Sequence, residues 1–170
     1  MRILLYCSFC VLTLQVNAQQ YNPNINAALN AIQNPVERVR QFESFGTKSA
    51  GSSQKQQTFT WIVDQYRQLG YDSIRVDSFV DGGHVVRNII VTKTGIDSSY
   101  IVVCGHYDTR NGPGANDNGS GVAAIIETAN VLRNLNTIRG IQFIHFDLEE
   151  DGFVGSDYHV NQVLGQPFDS

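Results

Sequence analysis

Residues 100–147 read YIVVCGHYDTRNGPGANDNGSGVAAIIETANVLRNLNTIRGIQFIHFD, and the architecture is decided there. Tyr100 to Gly105 is apolar almost throughout, the pattern of a strand covered on both faces. A glycine-rich loop from Thr109 to Gly121 leads into a helix, Val122 to Leu135. Ala123, Ile126, Ala129 and Val131 or Leu132 recur at helical spacing and face a sheet. Arg139 to Asp147 is a second central strand, parallel to the first.

Working outward, Ser156 to Val163 begins another helix. Upstream, Ser73 to Val80 alternates with Ile74, Val76 and Phe79 inward, Asp81-Gly82-Gly83 turns, and Val85 to Thr92 returns. Gln54 to Leu69 is an amphipathic helix: Phe59, Ile62, Val63, Tyr66 and Leu69 recur at three- and four-residue steps. Ser52 or Ser53 caps its start and Gly70 ends it. Glu37 to Phe45 is a shorter helix, and residues 19–35 form a leader rich in Asn, Gln and Ala, with a helix starting near Asn26. The order helix, β, β, β, helix, β, helix predicts an α/β fold: a mixed, mostly parallel central sheet with helices on both faces, over residues 36–170.

The first 18 residues belong to a different class. Arg2 is followed by an apolar run from Ile3 to Val16, and Val16-Asn17-Ala18 suits cleavage before Gln19-Gln20. That is a secretory signal peptide, too short to span a bilayer, and it predicts a secreted or periplasmic protein. Cys7 and Cys10 leave with it, so the exported chain keeps Cys104 and has no internal disulfide framework. A formal net charge of −4 over 170 residues excludes a basic nucleic-acid surface, and no other segment could span a membrane.

In such sheets, ligands bind at the carboxyl ends of central strands. The loop after the first strand holds Gly105-His106-Tyr107-Asp108-Thr109, then Gly114-Ala115-Asn116-Asp117-Asn118-Gly119-Ser120-Gly121 at the helix start. His106 and Asp108, two residues apart on a strand end, point the same way, so the aspartate reaches the imidazole. A metal-bound histidine needs that support on its second nitrogen. Asp117 precedes a helix, where an aspartate is often only a cap, yet the small residues around it allow closer backbone approach than capping requires. After the second strand stand Glu149 and Glu150. Adjacent carboxylates repel unless something positive neutralises one, and a divalent cation would do so. Side chains of neighbouring strand residues point apart, so one glutamate can bind the metal while the other faces a water.

Gly105-His106-Tyr107-Asp108, Gly114 to Gly121, and Glu149-Glu150-Asp151-Gly152-Phe153-Val154-Gly155-Ser156 resemble three consecutive motifs of the co-catalytic zinc aminopeptidases. That is the aminopeptidase Y and bacterial leucyl aminopeptidase family, to which glutamate carboxypeptidase II and glutaminyl cyclase are related. The resemblance implies that His106 binds one zinc, Asp117 bridges two, and Glu150 binds the other. It makes Glu149 the general base and Asp108 the partner of His106, with a cis Asp117–Asn118 peptide bond. It further implies that peptide or protein N-termini are the substrate, hydrolysed by a water that two zinc ions activate. An aspartate and a histidine further downstream would complete the ligand set, so the chain is expected to be the N-terminal part of such a domain. His145 is read as packing against the sheet, His159 as solvent-facing or otherwise satisfied, and His84 as remote. Two other readings stand beside this one: a single-zinc glutaminyl cyclase, and a non-catalytic relative that only binds.

Overall fold

The computed structural model describes residues 23–30, 32 and 34–165; the expected signal peptide lies outside the described residues. The elements run α1 (Pro23–Leu29), α2 (Pro35–Ser44), α3 (Ser53–Gln68), β1 (Ile74–Asp81), β2 (His84–Lys93), β3 (Tyr100–His106), α4 (Gly121–Leu132), β4 (Gly140–Phe146) and α5 (Val154–Leu164). A short irregular helical turn, Ala115–Ser120, precedes α4 and breaks at Asp117 and Asn118.

Local chemistry sets several boundaries. Ser52 caps α3, its side chain accepting from the Lys55 backbone N–H at 3.1 Å. Gly70, at φ +86°, ends that helix in the left-handed region. Gly82 and Gly83, at φ +54° and +80°, make the two-residue link between β1 and β2, with Asp81 opposite His84.

The sheet order is β1-β2-β4-β3, mixed as expected. The expectation of a mostly parallel sheet is corrected: β3–β4 is parallel, while β1–β2 and β2–β4 are antiparallel. The tight glycine link forces β1 and β2 to run in opposite directions, and β2 then inserts beside β4. A second correction concerns β3. Its apolar run predicted cover on both faces, yet Tyr100, Ile101 and Val102 are each about half exposed. β4 is its neighbour on one side, and no described strand lies on the other. The most buried strands are β2 and β4.

Alternation along β2 and β4 separates two layers. Ile89, Val91 and Phe143 pack with Trp61, Ile62 and Tyr66 of α3 and Val122, Ile125 and Ala129 of α4. The opposite face carries Asn88 and Phe146 and receives α5. Helices on both faces are therefore present. Val76 was expected inward and is 39% exposed; on β1 the opposite side is covered, where Phe79 stacks on Tyr158 of α5 with ring centroids 3.9 Å apart.

Candidate active site

β3 and β4 run parallel, with His106 opposite Phe146, so their carboxyl ends open at the same edge. His106 ends β3, residues 107–120 and 147–153 leave those ends as loops, and every residue singled out for chemistry lies at that strand end or on those loops. His106 is nearly buried, its side chain 10% exposed, whereas the Asp117 side chain is 73% exposed. Their atoms meet nonetheless: His106 Nε2 lies 3.0 Å from Asp117 Oδ1. Glu149 Oε2 approaches the same nitrogen at 3.7 Å.

Asp108 supports both loops. Its Oδ1 lies 3.4 Å from His106 Nδ1, as the two-residue spacing predicted, and its backbone oxygen lies 3.2 Å from that nitrogen. Its carboxylate also accepts backbone N–H bonds from Glu149 at 3.0 Å and Glu150 at 3.1 Å, which the spacing did not predict. The glutamate pair was expected at the end of a strand; β4 stops at Phe146, and the pair sits in a turn. Leu148, at φ 51°, turns the chain there, so alternation along a strand does not set where the two side chains point. The Asp117–Asn118 peptide bond is cis. Asn118, rather than Asp117, serves the helix start: its Oδ1 accepts from the Gly121 N–H at 3.2 Å.

The loop before Asp117 is braced by a residue that the sequence reading missed. Lys48 is fully buried and donates from Nζ to the carbonyls of Gly46 and Pro113 at 2.7 and 2.8 Å, over the ring of Phe42. Its backbone N–H donates to Thr109 Oγ1, which in turn donates to the Gly112 carbonyl. Gly114, at φ +64°, leaves no room for a side chain: a Cβ there would lie 2.3 Å from the Asp117 carbonyl oxygen. Lys55 was missed as well, although a signal existed. It falls on the apolar stripe of α3, four residues before Phe59 and seven before Ile62. A lysine there demands a buried partner. That partner is Asp147, at 3.0 Å.

Of the other histidines, His145 is fully buried against the sheet's α3 side, in line with its reading as a packing residue, and pairs there with Tyr66 at 2.8 Å. His84 is exposed at the far turn. His159 sits 3.6 Å from Asp77 and against Phe146 rather than facing solvent.

Electrostatics favour a cation at this point. Burial opposes the charged form of His106, but the hydrogen bond and charge of Asp108, with the charges of Glu149 and Asp117, carry the imidazole up to about 9. A field that draws a proton onto this ring draws any cation to it. The donors fit zinc in kind, an imidazole among carboxylates. His106 and Asp117 fit in position too, since two ligands of one tetrahedral zinc lie about 3.3 Å apart. Among the described residues no three His, Cys, Asp or Glu side chains are placed to hold one metal ion together.

Residues 88–169 match the profile of peptidase family M28. The chain is similar to the probable lipoprotein aminopeptidase LpqL of Mycobacterium tuberculosis, 41% identical over 80 residues, which are 45% of this chain and 16% of that protein. Its fold is similar to Legionella pneumophila LapA, with a TM-score of 0.73 and 28% identity, covering 92% of this chain and 47% of LapA. It is also similar to Fimbriiglobus ruber glutaminyl cyclase, with a TM-score of 0.69 over 78% of this chain and 55% of that one. At 20% identity the second likeness speaks to fold alone. The chain spans under a fifth of that curated relative and about half of these solved structures.

Proposed function

The chain belongs to peptidase family M28, and from that premise we propose that it acts in an exported, zinc-dependent aminopeptidase cleaving peptide bonds at free N-termini. What carries the reading is the meeting of His106 and Asp117 at 3.0 Å, with Glu149 facing the same nitrogen. His106 and Asp117 would hold zinc, with Glu150 as a further ligand. When bound, zinc supplies a Lewis acid for the scissile carbonyl and lowers the pKa of a water.

This chain's residues do the rest. Asp108 holds the proton on His106 Nδ1, so that Nε2 is the nitrogen that would give up its proton and ligate. The Glu149 carboxylate takes the proton from the attacking water and delivers it to the leaving amine. Asp108 keeps Glu149 within reach by holding its backbone N–H. Export would depend on residues 1–18; the name of LpqL as a lipoprotein supports it, and no helix among the described residues is long and apolar enough to cross a membrane.

The test is release of chromogen from aminoacyl anilides by the protein expressed from its whole reading frame. Glu149→Ala is expected to bind zinc and lose turnover by about 10²–10⁴-fold. Equal rates in wild type and variant would remove the base assignment. Ammonia release from an N-terminal glutaminyl peptide, without anilide cleavage, would establish the cyclase instead.

A further inference from the structure

The turn bearing Glu149 and Glu150 is pinned from below by a buried polar group that the proposed chemistry does not use. Asp147 is fully buried. Its Oδ2 accepts from Lys55 Nζ at 3.0 Å and from the Arg87 backbone N–H at 2.9 Å, and its Oδ1 accepts from the Leu148 N–H at 2.9 Å. Its own N–H donates to Asn88 Oδ1, and its carbonyl accepts from the Gly155 N–H. Asn88 Nδ2 then donates to the Gly155 carbonyl at 2.7 Å. Both ends of the turn, 147 and 155, are thereby fastened to one another and to β2. Lys55 adds the tie to α3.

A buried ion pair is a poor device for stability, since apolar residues of similar volume often serve as well or better. Lys55 occupies an apolar stripe that a methionine or leucine would fill. Its ammonium also reaches the Val85 carbonyl at 3.5 Å, so three elements converge on one nitrogen. Such convergence sets direction: the Asp147 carboxylate cannot rotate without losing Lys55, Arg87 or Leu148.

We propose that Lys55 is a positioning residue for the Glu149–Glu150 turn, acting through the Asp147 carboxylate. Its catalytic consequence rests on the reading of those glutamates as site residues; the positioning itself does not.

The test compares wild type, Lys55→Met, Lys55→Arg and the double variant Lys55→Met with Asp147→Asn, which leaves no unpaired buried carboxylate if Lys55→Met alone fails to fold. Glu127→Gln, which weakens the Arg38–Glu127 pair away from the turn, controls for lost stability. Amide hydrogen exchange of the metal-free protein is read at residues 148–155, and zinc affinity is read by chelator competition. Lys55→Met and the double variant are expected to speed exchange in the turn by about ten-fold or more, a local opening. Zinc affinity falls by roughly 10–100-fold. Lys55→Arg restores both, while Glu127→Gln lowers the melting temperature and leaves both unchanged. Wild-type exchange in the turn of both Lys55→Met and the double variant would overturn the proposal, as would equal turn opening in Glu127→Gln. Turn opening in a protein whose wild type binds no zinc would uphold the positioning and sink the metallopeptidase reading.

Discussion

Asp108 Oδ1 and the backbone N–H of Glu149 are joined by a 3.0 Å hydrogen bond across 41 residues of sequence. The same carboxylate supports His106 and holds Glu150, so one side chain couples the two loops. Asp108→Asn keeps the shape but replaces one accepting oxygen with a donor, leaving one of the two partly buried N–H groups without its partner. A loss of about 1–3 kcal/mol in stability is expected, checked by urea unfolding. Zinc affinity is expected to fall 10–100-fold, checked by chelator competition.

Lys48 should leave a signature in alkali. Burial pulls its ammonium from 10.5 down to about 8, against the raising influence of Glu43. Between those values the unfolded chain holds a proton that the folded chain has lost, so stability rises with pH across that window. Relative to Lys48→Met, wild type is expected to gain stability from pH 8 to 10, with a slope approaching about 1.4 kcal/mol per unit. Urea midpoints at a series of pH values measure it. A constant difference between the two proteins would refute the assignment.

His145 works at the other end of the scale. Its burial takes the imidazole from 6.5 to about 3. Here too the unfolded chain binds the extra proton, so the contribution is complete above 6.5 and is lost as pH falls toward 3. His145→Leu is expected to flatten that part of the acid-unfolding profile by up to one proton, read from melting temperature against pH.

Gly155 admits no side chain. A Cβ there would lie 2.3 Å from the Asp147 carbonyl oxygen, which is backbone, and 2.4 Å from Asn88 Oδ1, whose buried amide is held by hydrogen bonds to Asp147 and Gly155. Gly155→Ala is expected to cost about 1–3 kcal/mol and to open the glutamate turn. Thermal unfolding measures the cost, and amide exchange at residues 148–155 measures the opening.

Much of the fold was legible because its cues are local. The α3 stripe, its Ser52 cap and Gly70 stop, and the Gly82-Gly83 link each follow from a few adjacent residues. The site was legible in part for the same reason: His106 and Asp108 are two residues apart at a strand end, and their contact is almost obligatory. The buried lysines were harder. Lys48 lies in a polar-looking loop, and its partners are carbonyl groups, which every residue carries. The placement of the glutamate pair at the end of a strand did not hold, because β4 ends at Phe146, three residues before Glu149.

By itself, then, the sequence determined where helices and strands form, which face of each helix is apolar, and which loops carry imidazole and carboxylates. Only the tertiary structure decided that β3 lies at the edge of the described sheet, that β2 pairs with β4, and that Asp147 and Lys55 meet under the turn. The physical reason is that periodicity names a face to be buried without naming the neighbour that buries it. Neighbours are chosen by contacts between residues distant along the chain, and those exist only once the whole sheet has assembled.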